Sequence, residues 1–423
     1  MDAGNTAWVL ISVALVLFMT PGLAFFYGGM VRSKNVLGML MQNFFAMGLV
    51  SVLWALFVFT LAFGGDTGGV IGNFDFIGLK NLGDVDLALP GYEGDFALSV
   101  PPLAFVAFQL MFAIITPALI TGATADRMKF AAYAVFLGVW LVLVYAPVAH
   151  WVFSPNGWLF EEGALDFAGG TVVHINAGIA ALALVLVLGR RRGWPGETMP
   201  PHALPLTLLG TGILWFGWFG FNAGSALSSG GVAAQALINT HLAAAAAMLG
   251  WLLVERVKSG HATTLGAASG AVTGLVAITP CAGFVGGVVP LVIGFVAGAV
   301  CFLAIQLKFR FGYDDSLDVV GVHLVGGLVG SLLLGLFADL RVNPGGADGL
   351  FFGGGFSLLG KQVLAVAATM VWSFVASVVI AKVIDATIGL RVTPDEEAEG
   401  LDLTQHSETA YAYGELGMGR HAG

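Results

Sequence analysis

Apolar runs long enough to cross a lipid bilayer recur along the whole chain, with no soluble domain between them. A segment in hydrocarbon has to satisfy its backbone hydrogen bonds internally, so such runs fold as helices packed into a bundle. Eleven spans are predicted, over residues 7–31, 38–64, 99–123, 130–151, 168–189, 204–223, 233–257, 262–279, 283–306, 318–338 and 360–388. Only 10% of the 423 residues are charged and 57% are hydrophobic, whereas soluble domains carry about 25% charged residues. The 61 glycines fit closely packed membrane helices. Small residues spaced by four, at Gly270/Gly274, Gly294/Gly298 and Gly326/Gly330, mark places where helix backbones meet. The net charge of -9 argues against nucleic acid as a partner. Cys281 and Cys301 sit in apolar surroundings, make neither a disulfide framework nor a zinc spacing, and read as packing residues. No basic segment precedes the first apolar run, so it reads as a spanning helix rather than a cleaved signal.

Basic residues set the expected orientation. The loops after spans 1, 3, 5, 7 and 9 carry eleven Lys and Arg: Arg32, Lys34, Arg127, Lys129, Arg190, Arg191, Arg192, Arg256, Lys258, Lys308 and Arg310. The alternate loops hold three, Lys80, Arg341 and Lys361. The positive-inside rule then places the N-terminus outside and the C-terminus inside, with an odd number of spans. The loop 65–98, rich in Asp and Glu, falls outside, either as a solvated surface or as a field that gathers cations at a pore mouth.

A short internal echo accompanies this topology. Val173-His174-Ile175 and Gly178-Ile179 in span 5 match Val322-His323-Leu324 and Gly327-Leu328 in span 10. Five spans per half makes the halves inverted, with span 5 running inward and span 10 outward. Paired elements of an inverted repeat meet near the membrane midplane.

Ionisable side chains inside a span are costly and point to function. His174 and His323 are the deep pair, and two imidazoles can share one proton, one donating and one accepting. A lone buried histidine would more simply bridge two helices. His241 has no partner motif and reads as structural; His150, His202, His261, His406 and His421 read as boundary, packing or tail residues. Span 6 carries Trp215, Phe216, Trp218, Phe219 and Phe221 ahead of Ser225. That run suits a cation site of aromatic faces and a hydroxyl, or equally an interfacial aromatic belt. Phe105, Phe108 and Phe112 recur at helical spacing around Gln109 in span 3, as a packing stripe would. Asp166 opens span 5, where it can cap free N–H groups or add negative potential to a cation site; Asp318 near span 10 has the same two readings.

Three segments in order, Asp166-Phe-Ala-Gly-Gly-Thr-Val-Val-His174, Gly217-Trp-Phe-Gly-Phe-Asn-Ala-Gly-Ser225 and Asp318-Val-Val-Gly-Val-His323, resemble the Amt family of ammonium transporters. The tail joins them, with Gly389-Leu-Arg-Val392, Gly400-Leu-Asp402 and His406 to Tyr411. The resemblance is to the bacterial Amt type within the wider Amt/MEP/Rh superfamily and covers essentially the whole chain. It implies an all-α membrane protein of eleven transmembrane helices: an inverted five-helix repeat plus an eleventh helix. The expected division is a membrane domain over 1–388 and a cytoplasmic tail over 389–423. By matching motif, Phe112 and Phe221 are the expected phenylalanine gate, with Phe108 supporting. Ser225 and Phe112 belong to the outer ammonium site, His174 and His323 to the pore, Trp218 to its wall, and Asp166 supports it. The sequence departs from the family at Phe153, where tryptophan often completes the outer site; Trp158 lies near enough in sequence to substitute. The resemblance further implies a homotrimer in the cytoplasmic membrane, in contact with lipid. It moves ammonium or ammonia with methylammonium as an analogue, has a PII-type regulatory protein as partner, and needs no cofactor, metal or enzymatic step. An ammonium sensor, a membrane metalloenzyme using the two histidines and an Rh-type gas channel are the competing readings.

Overall fold

The computed structural model describes residues 1–411 and is helical apart from one two-stranded hairpin. In chain order the helices are α1 (Ala3–Met30), α2 (Ser33–Phe63), α3 (Pro102–Thr124), α4 (Phe130–Glu161), α5 (Gly170–Leu188), α6 (Leu204–Gly224), α7 (Gly231–Ser259), α8 (Thr264–Ile278), α9 (Val289–Phe311), α10 (Val320–Phe337) and α11 (Ser357–Thr387). All but α8 are long and apolar enough to cross a membrane, which makes ten among the described residues. The α8 helix has 15 residues, and turns carry the chain on to α9. Two short helices follow, α12 (Pro394–Glu399) and α13 (Leu401–His406). The end of the tail, 412–423, lies outside the described residues.

Helix boundaries follow local chemistry. The Asp2 carboxylate accepts the Asn5 N–H at the start of α1, and proline occupies the first turns of α3, α6 and α9. A proline there lacks only an N–H that would have no partner in the helix. π-helical turns interrupt α2 at Trp54–Val58, α4 at Leu141–Tyr145, α5 at Gly170–Ile175 and α10 at Val320–Leu324. Single π turns frequently fall at functional sites, and the last two carry His174 and His323.

Packing sorts the helices into centre and periphery. In the most apolar windows of α3 and α5, 83% of residues are buried, against 33% in α11. The central position of α5 therefore comes with the burial of His174. Glycine sets the closest approaches: a Cβ at Gly294 or Gly298 of α9 would fall 2.2 or 2.1 Å from the carbonyls of Ala243 or Ala247 in α7. Any larger side chain at either position has to push the two backbones apart.

The basic end of the bundle is tied by ions and backbone. Arg127 is fully buried and donates to the carbonyls of Gly189 (2.9 Å), Ala123 (3.2 Å), Ala125 (3.1 Å) and Asp314 (2.6 Å) and to Ser316 Oγ (2.7 Å). Arg191 forks onto the Asp314 carboxylate, with Nε–Oδ2 and Nη2–Oδ1 both 2.9 Å, and reaches Asp126 at 3.4 Å. Burial alone would raise the Asp314 carboxyl, but Arg191 and Arg127 outweigh it and hold it below its ordinary range. The tail is folded onto this end. Arg192 N–H and Arg391 Nη2 both donate to Glu397 at 2.7 Å, Gly38 N–H donates to Asp402 Oδ1 at 2.8 Å, and Leu401 N–H donates to Asn35 Oδ1 at 2.8 Å. Glu397 and Asp402 are each 2% exposed. The residues through 411 are thus an ordered part of the fold, which their acidic composition alone would not suggest.

Candidate functional site

Trp218, Phe221 and Ser225 recur at three- and four-residue intervals and so share one face of α6 and its C-terminal end. The neighbouring face packs on α1, where a Cβ at Gly217 would meet Met19 and one at Gly220 would meet Leu15. Trp218 and Phe221 beside it are buried. Phe108 and Phe112, four residues apart on α3, arrive from the other side, with ring centroids 5.0 Å apart.

Phe112 and Phe221 are in ring contact at 4.4 Å, and both are at most 1% exposed. No molecule fits between rings at that spacing, so passage requires them to move. A cavity of about 1000 Å³ opens on one side of the pair, and Phe108, Phe112, Phe153, Ser225 and Asp166 all line it. The Ser225 hydroxyl donates to the Phe221 carbonyl at 2.7 Å, which leaves its oxygen lone pairs free to accept an N–H. The Phe153 ring stands 6.5 Å from Phe112, held by Tyr92, whose hydroxyl donates to the Phe153 carbonyl at 2.9 Å. The Trp158 ring turns away onto Trp151 at 5.9 Å, and its backbone N–H donates to the Gly69 carbonyl. Phe153, rather than Trp158, is therefore the side chain of this pair at the cavity.

On the other side of the phenylalanine pair the aromatic line continues without a break. Phe221 lies 6.0 Å from His174 and 5.4 Å from Trp218. The Trp218 and His174 rings stack at 5.4 Å, and Trp218 is held by its Nε1–H donating to Thr279 Oγ1 at 3.0 Å. The two imidazoles stack at 5.3 Å, their planes 16° apart, with Nδ1 facing Nδ1 at 3.2 Å. One Nδ1 has to carry the hydrogen and the other accept it, so a single N–H···N hydrogen bond joins the rings. His174 Nε2 is buried with no protein partner, a polar atom left available to a passing molecule.

Asp166 organises the turn that carries His174. Its Oδ1 accepts the N–H groups of Gly169 (2.8 Å) and Gly170 (2.6 Å), and its Oδ2 those of Thr171 (2.8 Å) and Val172 (3.1 Å). This is the capping reading of that residue, made in full. Its internal counterpart is Asp315, not Asp318. Asp166 and Asp315 each stand eight residues before their histidines, and Asp315 accepts the N–H groups of Val319 (3.1 Å) and Val320 (2.8 Å). Asp318 instead pairs with Lys308 at 2.6 Å. Asp315 carried no motif signal because the sequence echo starts only at the valine before each histidine.

The remaining histidines divide. His150 is wholly buried, its Nδ1 2.9 Å from the Ala62 carbonyl and its Nε2 3.0 Å from Asp66 Oδ1. It clamps α4 to the hairpin formed by Asp66–Thr67 and Ile71–Gly72. His202 joins the Val31 carbonyl and Tyr411 of the tail. His241 lies against Trp215 and Phe219. Among the described residues no three His, Cys, Asp or Glu side chains gather as metal ligands.

A many-helix apolar bundle with a buried aromatic and imidazole line through its centre is the build of a membrane transport protein. The model of the Ammonium Transporter Family matches residues 7–411, and the chain belongs to that family. It is 53% identical to an ammonium transporter of Mycobacterium tuberculosis, over 97% of this chain and 91% of the relative. It is 50% identical to one of Bacillus subtilis, over 97% and 99%. Its fold matches the crystal structure of Mep2 from Saccharomyces cerevisiae with a TM-score of 0.86 at 35% identity, over 93% of this chain and 88% of that one. A protein described as a sensor Amt protein matches with a TM-score of 0.86 at 29% identity, over 95% and 98%. The chain is a multi-pass integral membrane protein and a transporter rather than an enzyme.

Proposed function

We propose that the protein recruits NH4+ in the aromatic cavity and passes it, as NH3, through the Phe112/Phe221 constriction and along His174 and His323. The observation that carries this reading is the unbroken contact line from Phe153 through Phe112, Phe221 and Trp218 to the histidine pair. Aromatic faces attract a cation through their quadrupole, and Ser225 offers an acceptor. Beyond the constriction the path is buried among aromatic rings, and burial disfavours the charged form of the substrate. A hydrated potassium ion has no proton to lose, which supplies the selectivity. Ammonium-dependent current in proteoliposomes, against protein-free vesicles, tests the proposal. A protein that acts only as a sensor gives none.

The basic-loop bias favours eleven crossings, α8 included, with the N-terminus outside and the tail in the cytoplasm. A cysteine placed in the 65–98 loop is expected to react with an impermeant thiol reagent on intact cells. Reaction only after lysis rejects the orientation.

The outer site holds the weaker aromatic. Phe153→Trp is expected to raise the apparent affinity for ammonium by about 0.5–1 kcal/mol, the size of an exposed cation–π contact, with maximal flux unchanged. Trp158→Ala is expected to leave affinity alone, since that ring packs on Trp151. The reverse pattern would move the site to Trp158.

The protein assembles as a homotrimer in the cytoplasmic membrane, with methylammonium as an alternative substrate, and a PII-type regulator docks on its basic cytoplasmic face. The tail contacts at Glu397 and Asp402 support a coupling role for residues 389–411. Deleting residues 392–423 is expected to lower transport several-fold while the oligomer still elutes intact. Full transport at equal membrane abundance would make the tail dispensable.

A further inference from the structure

Three charged side chains line the outer cavity: Asp95, Asp166 and Lys361. Asp166 is committed to four backbone N–H groups. Asp95 is exposed. Lys361 is half-buried, and among the described residues it has no carboxylate within ion-pair distance. It is not a free-floating surface lysine, because α11 is fastened to the cavity wall beside it. The Gln362 side chain pairs with both ends of one residue, accepting the Leu165 N–H and donating to the Leu165 carbonyl, each at 2.7 Å. The amine itself lies against Gly163, where a Cβ would fall 2.8 Å from Nζ. Gly163 takes φ +82, which glycine adopts without strain, so the segment that leads to Asp166 leaves space for the lysine.

A fixed cation in the wall of a cavity that collects a cation is an unexpected placement, since like charge lowers the local concentration of substrate. We infer that Lys361 is an affinity-setting residue that weakens cation recruitment, opposing the attraction of Asp95 in the vestibule. The inference rests on the cavity being the recruitment site proposed above. Its physical consequence is a charge effect on the entry step alone. The amine touches neither the phenylalanine pair nor the histidines, so maximal flux is not altered. Such weakening would keep the site from saturating while ammonium is abundant.

The test is ammonium-dependent current in proteoliposomes from the full chain. Lys361→Gln is expected to lower the half-saturating ammonium concentration about two- to fivefold, the effect of one unit charge several ångströms away in a wet cavity, at unchanged maximal current. Lys361→Arg keeps the charge and is expected to match the parent. Asp95→Asn is expected to move the half-saturation point upward. Raising sodium chloride from about 10 mM to 300 mM should shrink both shifts, because the screening length falls from about 30 Å to below 8 Å. An unchanged half-saturation point in Lys361→Gln overturns the inference, as does an equal shift in Lys361→Arg or a shift that salt does not reduce. Ser225→Ala separates the two levels. If it raises the half-saturation point while Lys361→Gln does nothing, the recruitment site stands and the role of Lys361 falls. If neither variant shifts it, the recruitment site falls with it.

Discussion

The double variant His174→Ala/His323→Ala is expected to lose its discrimination against potassium and to carry ammonium at least about tenfold more slowly. The two rings are 1% and 3% exposed and fill the centre of the proposed path on the far side of Phe221. Removing both deletes the Nδ1 pair at 3.2 Å and the unpartnered Nε2 of His174. A hydrogen-bonding group lost from a dry site costs about 1–3 kcal/mol, and about 1.4 kcal/mol corresponds to a tenfold change in rate. The space left by two imidazoles admits water, and water is what lets a hydrated cation enter. Each single variant retains one ring and is expected to fall between the parent and the double variant. Competition of ammonium current by potassium, with the oligomer checked by elution, reads the result. Unchanged current and unchanged exclusion of potassium would take the histidines out of the mechanism.

Asp166→Ala is expected to abolish transport and to reduce the amount of folded protein. Four N–H groups lose a charged acceptor at once. Hydrogen bonds to charged groups contribute about 1.5–3 kcal/mol each; without full additivity the loss still approaches the total stability of a typical domain, about 5–15 kcal/mol. The turn that aims His174 is what unravels, because its π-helical residues begin at Gly170. Asp166→Asn is the sharper test. Asparagine keeps the shape but turns one oxygen into an NH2 group that faces two N–H donors. Half of the bonds survive, and the variant is expected to fold while carrying ammonium slowly. Parent-like current from Asp166→Asn would mean that the cap does not govern the pore.

The parts of this site that were legible in the sequence have a common cause. His174 and His323 stand out because an ionisable side chain inside an apolar run is rare. Trp218, Phe221 and Ser225 show themselves as an aromatic run that ends in a hydroxyl, whereas Phe108 and Phe112 read as a packing stripe until the family motif is matched. Residues that act across long separations gave no such signal. Thr279 holds Trp218 from 61 positions away, and Tyr92 holds Phe153 from 61 positions away in the other direction. His150 sits near the end of an apolar run, as boundary residues do, and only the folding of the 66–72 hairpin over it makes it a buried clamp. Arg127 reads as one more basic loop residue, yet it is the centre of five hydrogen bonds. Composition alone reads the tail as solvated acid, and only its motifs at 389–392 and 400–402 mark it as ordered; the buried carboxylates of Glu397 and Asp402 find backbone donors at Arg192 and at Gly38 of α2. In each case the missing information was a contact between distant segments, which periodicity cannot encode.

The measurement that bears most directly on the whole account is current across proteoliposomes that contain the purified protein when ammonium is added on one side. Saturable current is expected that survives a large excess of potassium and collapses in His174→Ala/His323→Ala. Ammonium-evoked current no greater than that of protein-free vesicles, from protein shown to be folded and inserted, would contradict it.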